Sequence, residues 1–318
     1  MTELFKNALV LGTGLMGTSM ALALTGRKIA GLVAGYDPSP ESRADASARH
    51  TFAFVESDLE KALGTGELVI VAAPPRAVRE LLPQIARRSA GRLVIDLAST
   101  KREIVEVAEE CFRDTAGAFV GGHPMAGAPS GGARAARADL FLGAPFALCP
   151  TRVAHGSALE KAKELVTRLG ARPVIVPAPA HDAAVARISH LPHIAAVATA
   201  IAAGEAPDEK LAARLAASGF RSTTRVAAGG RPLWTEVLLD NKKESLACID
   251  ALKAAIASVE DALRTGDEEA LGGILEFARE TRAKLLEDAG GRGAEPRASA
   301  QAGSSSTGDV DEDSGERP

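Results

Sequence analysis

Short apolar runs alternate with helical stretches over residues 1–178. The run at residues 68–73, LVIVAA, is apolar at every position, which is typical of a parallel strand buried on both faces of a sheet. Comparable runs lie at residues 8–11, 29–36, 93–97, 118–122, 145–149 and 173–176. This repeated alternation predicts an α/β domain with a doubly wound, mainly parallel sheet.

The pattern changes after the segment PAPA at residues 177–180. Residues 181–287 have helical spacing and no convincing strand, which predicts an all-α C-terminal domain. One stripe of apolar residues at steps of three and four comprises Leu246, Ile249, Leu252, Ile256, Val259 and Leu263. Such a stripe is a helix–helix seam, formed either inside one subunit or between two subunits of a dimer. We therefore predict domains at residues 1–178 and 179–287 and a disordered, apolar-poor tail at 288–318.

A glycine-rich turn, GTGLMG at residues 12–17, follows the first apolar run and precedes an Ala/Leu-rich helix. Gly12 allows a tight turn out of the strand, Gly14 allows a pyrophosphate to approach the backbone, and Gly17 allows the helix to pack closely on the sheet. Leu15 and Met16 lie where the helix begins, and free N–H groups there bind phosphate charge. This strand–turn–helix context predicts a dinucleotide site in a Rossmann-type domain.

Asp37 ends the second apolar run, where a carboxylate accepts hydrogen bonds from both ribose hydroxyls of a dinucleotide. Because it would repel a 2′-phosphate, Asp37 favours NAD over NADP as the cofactor. Ala73 and Pro74, at the end of the 68–73 run, are further candidate contacts to the cofactor. Three nearby cations act against strict selection of NAD: Arg27, Lys28 and Arg43.

Two polar side chains follow later strands of the predicted sheet. Ser99 and Thr100 can cap the next helix and also lie at the carboxyl edge of the sheet, where ligands bind; the two roles are compatible, because a cap needs only one hydroxyl. His123 follows the run at 118–122 and is well placed to reach a substrate beside a nicotinamide, so we predict that it is catalytic. Arg225, or alternatively Arg221, can bind a substrate carboxylate bidentately. These groups suit oxidation of an alcohol on an anionic substrate, with the histidine accepting the hydroxyl proton.

Composition and charge argue against nucleic acid and a membrane as partners. The net charge of −4 is spread along the chain, which argues against a nucleic-acid surface, and no apolar run reaches the roughly 18 residues of a membrane span. Three isolated cysteines and the absence of a recognisable signal peptide favour a cytoplasmic protein. His181, His190 and His193 cluster in sequence, but HExxH and paired-cysteine motifs are absent, so we predict no metal site.

Several short segments together form a recognisable pattern. They are GTGLMGTS at 12–19, DLASTK at 96–101, GHPMAG at 122–127, HD at 181–182, SHLPH at 189–193, GFRSTTR at 219–225, Trp234, and NK at 241–242. In these segments, over about residues 5–286, the chain resembles the prephenate/arogenate dehydrogenases of tyrosine biosynthesis. The segments occur in the family's order, and the pair HPMAG and SHLPH is specific.

The resemblance implies NAD-dependent oxidative decarboxylation and a homodimer formed through the helical domain. It implies that His123 hydrogen-bonds the ring hydroxyl, that Ser99 orients the hydroxyl and the nicotinamide, and that Arg225 binds a substrate carboxylate. It further implies pocket positions for Ser189, His193 and His190. The discrimination between prephenate and arogenate depends on pocket geometry.

Two residues depart from the family pattern. Thr18 replaces a frequent glycine, and Ser222 replaces a common acid, which affects how Arg225 is oriented. Two alternatives to the family interpretation stay open. One is a β-hydroxyacid-type dehydrogenase with Lys242 or Lys243 as its acid/base group, and the other is an NAD-binding sensor without catalysis.

Overall fold

The computed structural model describes residues 2–128, 130–152, 154 and 156–288. By their internal contacts the described residues divide into two compact units, with the division between residues 251 and 252. The predicted boundary between residues 178 and 179 stays a prediction. The change from strands to helices comes close to it, after the last strand ends at Ile175. The tail predicted at 288–318 lies outside the described residues, apart from Asp288, which ends a helix.

The first unit contains a sheet of eight strands. They are β1 Phe5–Leu11, β2 Ala30–Tyr36, β3 Val55–Glu56, β4 Leu68–Val71, β5 Leu93–Asp96, β6 Ala118–Pro124, β7 Pro145–Pro150 and β8 Arg172–Ile175. Their order across the sheet is β3-β2-β1-β4-β5-β6-β7-β8. All neighbours are parallel except β6 and β7, which are antiparallel. The predicted mainly parallel, doubly wound α/β sheet is confirmed.

Six helices alternate with these strands. They are α1 Leu15–Gly26, α2 Pro40–Ser47, α3 Leu59–Ala62, α4 Pro75–Ala86, α5 Arg102–Phe112 and α6 Gly156–Arg168. Every residue of β4 and β5 is buried because helices cover both faces of the sheet. One core cluster contains Val10, Met20 and Ile70, and the other contains Leu9, Val69 and Phe119. The six mutually parallel strands, β1 to β6, therefore end at one edge, where loops bring side chains together.

The other elements of the described residues are helical. They are α7 Ala178–Val185, α8 Leu191–Gly204, α9 Glu209–Leu215, α10 Ser218–Thr224, α11 Arg231–Asp240, α12 Lys242–Thr265 and α13 Glu268–Asp288. One turn of π-helix, Ala186–His190, joins α7 to α8. Pro192 lacks an N–H group and sits in the first turn of α8, so the wider turn before it accommodates a break in the regular hydrogen bonding.

The helical stretch Ala178–Gly204 is also notable for its composition. It has 27 residues and a mean hydropathy of 1.2, so by length and composition it passes as a membrane-spanning helix, the one such helix in the described part of the chain. Its first turns nevertheless carry buried polar side chains, His181, Asp182 and His190, that hydrogen-bond within the first unit. Core helices of globular proteins meet the same criteria, so this feature is weak evidence for a membrane span.

The second unit contains most of α12 and α13. The predicted apolar stripe on α12 leaves Ile256 57% exposed and Leu263 64% exposed. On α13, Leu275 and Phe277 are 63% and 72% exposed. Exposed apolar faces of this kind are typical of protein–protein contact surfaces.

Candidate active site

The glycine turn has the geometry that its sequence predicts. Gly12 has a φ of +96°, and a Cβ atom there would lie 2.3 Å from the carbonyl oxygen of Ala72. A Cβ at Gly17 would lie 1.9 Å from the carbonyl oxygen of Gly12. By contrast, no atom lies within 4 Å of the Cβ position at Gly14. Gly12 and Gly17 are thus needed for packing, whereas Gly14 leaves open space at the start of α1 that fits a pyrophosphate.

Asp37 lies directly beside this turn. Its carboxylate accepts hydrogen bonds from the backbone N–H of Thr13 at 2.8 Å and from the Ser39 N–H at 2.9 Å. Thr18 donates its hydroxyl to the carbonyl oxygen of Thr13 at 2.9 Å, so this departure from the family pattern supports the turn. Arg43 hydrogen-bonds the backbone carbonyl of Asp37 at 2.9 Å. The carboxylate that favours NAD is therefore held at the end of β2, with a cation close by.

A cleft of about 450 Å³ extends from the glycine turn to the ends of β5 and β6. Its walls include the predicted cofactor residues Gly14, Leu15, Met16, Ala73 and Pro74 and the predicted catalytic residues Ser99 and His123. The loop after β6 contributes Ala126 and Gly127, and Gly230 and Leu233 close the helical side. The structure thus brings the candidate cofactor and catalytic groups into one cavity.

His123 begins a chain of hydrogen-bonded side chains. Its Nδ1 lies 2.9 Å from Nε2 of His181, and Nδ1 of His181 lies 2.8 Å from Oδ1 of Asp182. His181 and Asp182 are each 3% exposed. The Asp182 carboxylate also accepts hydrogen bonds from the backbone N–H groups of Lys101 and Arg102, at 2.8 and 2.9 Å.

Asp182 therefore caps α5 from a distant part of the chain. The interpretation of Ser99 or Thr100 as the cap is wrong, because neither side chain hydrogen-bonds the first turn of α5. Thr100 instead donates its hydroxyl to Asp240. The Ser99 hydroxyl has no hydrogen-bond partner among the described residues, and it lines the cleft.

Electrostatics favour a neutral His123. Its pKa is well below the usual 6.5, first because burial disfavours the imidazolium and also because the Lys101 cation opposes a further positive charge. Burial alone would raise the pKa of Asp182, but hydrogen bonds from His181 and from the Arg102 and Lys101 N–H groups lower it. At neutral pH His123 is thus an uncharged imidazole and Asp182 is a carboxylate anion.

A buried ion pair fixes the strand ends that carry this chemistry. Lys101 and Asp96 are both 0% exposed and form an ion pair. Asp96 also accepts hydrogen bonds from the N–H groups of Gly122, at 3.0 Å, and Ala98, at 2.9 Å. Gly122 precedes His123, so Asp96 ties the end of β5 to the position of the histidine.

The predicted pocket residues His190 and His193 pack around Trp234. The His193 ring stacks on the indole at 3.6 Å between ring centroids, and the His190 ring meets it edge-on at 6.2 Å. Burial lowers the pKa of His190 to about 4, despite the opposing effect of Asp182, and it also lowers the pKa of His193. His193 Nδ1 is buried without a hydrogen-bond partner among the described residues.

None of the predicted substrate residues, His190 and His193 included, is among the residues that line the cleft. Ser189 is partly buried in the π-helical turn, and Arg225, which follows α10, is exposed. The Arg225 guanidinium has no hydrogen bond or ion pair with any described residue, and Arg221 is likewise exposed. Lys242 and Lys243, the acid/base candidates of the alternative dehydrogenase class, are exposed at the start of α12 and do not line the cleft either.

Sequence reasoning assigned no role to His181 and Asp182. The available signal was a histidine next to an acid at the change from strands to helices, which does not reveal a contact with His123, 58 positions away. No group of three or more histidine, cysteine or acidic side chains suited to a metal occurs in the described part of the chain.

Comparison with known families gives two matches. The family model described as "Prephenate dehydrogenase, nucleotide-binding domain" matches residues 20–175. The model described as "Prephenate dehydrogenase, dimerization domain" matches residues 177–277. Together they cover most of the described chain.

Individual relatives agree with these matches. A prephenate dehydrogenase of Lactococcus lactis subsp. cremoris is 32% identical over 280 residues, 87% of this chain and 77% of that protein. The prephenate dehydrogenase of A. aeolicus, solved with hydroxyphenyl propionate and NAD+, superposes with a TM-score of 0.82 at 25% identity, over 88% of this chain and 98% of that one. The arogenate dehydrogenase of Synechocystis superposes with a TM-score of 0.76 at 28% identity, over 88% and 100%. The resemblance predicted from the motifs is confirmed.

Proposed function

The chain belongs to the prephenate dehydrogenase family, and we propose that it oxidatively decarboxylates prephenate to 4-hydroxyphenylpyruvate, or arogenate to tyrosine. The protein is an NAD-dependent oxidoreductase, with a nucleotide-binding domain and a relative solved with NAD+. The cleft fits that cofactor, with open space at Gly14 and the Asp37 carboxylate beside the turn.

One observation carries the proposal. The imidazole of His123 and the N-terminus of α1 line the same cleft, and His123 has a lowered pKa. A neutral imidazole accepts a hydroxyl proton, whereas an imidazolium does not. A substrate alcohol bound against His123 therefore meets a base next to the cofactor cavity.

Side chains of this protein accept the hydroxyl proton of the substrate and return it to the product. NAD bound in the cleft would supply the acceptor for the hydride that leaves the ring carbon carrying the hydroxyl. His123 Nε2 accepts the hydroxyl proton as the carbon–oxygen bond becomes a carbonyl. When CO2 leaves, the electrons of the broken carbon–carbon bond make the ring aromatic, and the phenol oxygen takes the proton back from His123. Ser99, with its unpartnered hydroxyl, orients the substrate hydroxyl and the nicotinamide.

Recognition of the substrate carboxylates is assigned to cations of the helical segment. Arg225 is the first candidate and Arg221 the second, since a guanidinium binds a carboxylate with two parallel hydrogen bonds. The free Arg225 guanidinium supports this assignment. Ser189, His190 and His193 complete the substrate pocket, and the unpartnered Nδ1 of His193 supports a polar ligand there.

We further propose that the protein is a cytoplasmic homodimer. Residues 1–178 form the dinucleotide domain, and residues 179–287 bind substrate and dimerise. The exposed apolar side chains of α12 and α13 support a contact with a second copy, because burying them removes apolar surface from water. Neither nucleic acid nor a membrane is assigned as a partner.

The proposal is tested by NADH formation with purified protein. Prephenate and arogenate are assayed in parallel with NAD, and NADP serves as the cofactor control. Turnover of either substrate with NAD is expected, and the ratio of the two kcat/KM values identifies the preferred one. Binding of NAD without turnover of either substrate would overturn the proposal.

A further inference from the structure

We propose that Asp182 and His181 are positioning residues that fix the tautomer of His123 and stabilise the proton it receives. The inference rests on the proposed reaction, in which His123 is the base. It is carried by the unbroken chain from His123 Nδ1 to His181 Nε2 at 2.9 Å and from His181 Nδ1 to Asp182 at 2.8 Å.

Asp182 sets the donor and acceptor of each hydrogen bond between these side chains. An ionised carboxylate only accepts hydrogen bonds, and its other contacts, the N–H groups of Lys101 and Arg102, are both donors. His181 must therefore carry its proton on Nδ1 to donate to Asp182. The proposal assigns His181 the neutral imidazole form, which has one donor and one acceptor nitrogen, so a proton on Nδ1 leaves Nε2 as the acceptor.

The same rule of one donor and one acceptor applies to the ring of His123. With His181 Nε2 as the acceptor, His123 must donate from its Nδ1. His123 Nε2 then has a free lone pair, and His123 lines the cleft. In this tautomer Nε2 can accept a hydroxyl proton, and Asp182 selects the tautomer through the intervening ring of His181.

The hydrogen-bonded side chains also stabilise the positive charge that develops on His123 during the reaction. When His123 takes the hydroxyl proton, an imidazolium forms in a setting that otherwise opposes it. Lys101 is the nearby cation, and Asp96 already pairs with it. The anion that His181 connects to His123 is Asp182, which is 3% exposed and little screened by water.

A purely structural role for Asp182 is the competing explanation. Its carboxylate caps α5 and joins α7 to that helix, so its loss also affects folding. The two explanations differ in kinetics. A positioning role lowers kcat only while His123 is present, whereas a structural role also weakens NAD binding and acts without His123.

The test uses Asp182→Asn and His181→Phe in the full-length protein, assayed with the substrate that the wild type turns over. We expect kcat to fall about 10²-fold or more in both variants, with KM and the NAD Kd near wild type. His181→Phe leaves the Asp182 carboxylate free to cap α5, so it carries the test if Asp182→Asn does not fold. Unchanged kcat in the folded variants would overturn the proposal.

Double variants separate positioning from stability. In a His123→Ala background, His181→Phe and Asp182→Asn are expected to cause no further loss of residual turnover, because their target is gone. An additional loss of similar size in that background would overturn the proposal.

Asp240→Asn is the matched control. Asp240 is another buried carboxylate, with a 5% exposed side chain paired with Arg79 and Thr100, and it does not contact the histidine chain. Its kcat is expected to stay near wild type, and an equal loss there would also overturn the proposal. A wild type that turns over neither substrate would instead contradict the proposed function itself.

Discussion

The glycine turn and His123, the first residue of the histidine chain, line one cleft, but the turn and the chain are built from different parts of the protein. The turn comes from six consecutive residues, 12–17, and acts through backbone N–H groups and the absence of side chains. The histidine chain joins His123 on β6 to His181 and Asp182 on α7, and Asp182 is held by the start of α5. One region is local in sequence, and the other exists only after the helices have packed on the sheet.

This difference separates binding from chemistry. The turn carries no ionisable side chain, so its function depends on shape and on backbone dipoles. The histidine chain depends on which nitrogen carries a proton, and therefore on charge and burial. Substitutions in the glycine turn should affect NAD affinity and packing. Substitutions in the histidine chain should affect turnover and its dependence on pH.

The largest effect is expected for His123→Ala. Removal of the base should lower kcat by about 10²- to 10⁴-fold. The NAD Kd should stay near wild type, because the glycine turn is untouched. Steady-state kinetics and NAD titration of the same preparation measure both, and an equal loss of both would mean that His123 acts structurally.

The second effect concerns stability below neutral pH. His190 has a pKa of about 4 in the folded protein against a usual value of 6.5, through burial and its histidine neighbours. Between these values the unfolded chain binds more protons, so the free energy of unfolding should decrease as pH falls from 6.5 towards 4. The loss at about pH 4 is on the order of 3 kcal/mol from His190 alone.

Urea unfolding at about pH 7.5 and about pH 5 measures this dependence. The neutral forms of His123 and His193 act in the same direction as that of His190, because their pKa values are also lowered. His190→Gln serves as the control and should reduce the slope. Equal stability of the wild type at both pH values would contradict a buried, neutral histidine cluster.

A third effect tests the carboxylate contact outside both regions. Arg225→Ala should raise the substrate KM about 10- to 100-fold with a smaller change in kcat, as expected for loss of a hydrogen bond between charged groups. Arg221→Ala is the matched control, an exposed arginine in the same segment. A higher KM for Arg221→Ala alone would reassign the contact, and an unchanged KM in both variants would exclude this segment.

The smallest effects separate the glycines of the turn. Gly17→Ala introduces a Cβ at 1.9 Å from the Gly12 carbonyl oxygen, so it should destabilise the fold by about 1–3 kcal/mol. Gly14→Ala has open space and a φ of −70°, so stability should hold while NAD affinity falls about tenfold through obstruction of the pyrophosphate position. Thermal melting and NAD titration of both variants distinguish these outcomes. Equal destabilisation would contradict the separation of roles.

Much of the fold was predictable because it depends on short-range patterns. The fully apolar run at 68–73 contains the buried strand β4, and the glycine turn precedes α1 as expected. The capping interpretation at Ser99 and Thr100 failed for a reason that local sequence cannot reveal. The cap of α5 comes from Asp182, 81 positions from Lys101, and a helix terminus is satisfied by any acceptor that packs against it.

Local sequence patterns were enough to predict the dinucleotide turn, the parallel sheet and the strand-end histidine, because hydrophobic period, glycine spacing and strand ends act within a few residues of the chain. The proposed choice of which nitrogen of His123 is free for a substrate could not be predicted in this way. That choice depends on His181 and Asp182, and on the burial that lowers the pKa of His123. Hydrogen-bond direction and desolvation arise from neighbours in space, so they appear only when α7 packs against the carboxyl edge of the sheet.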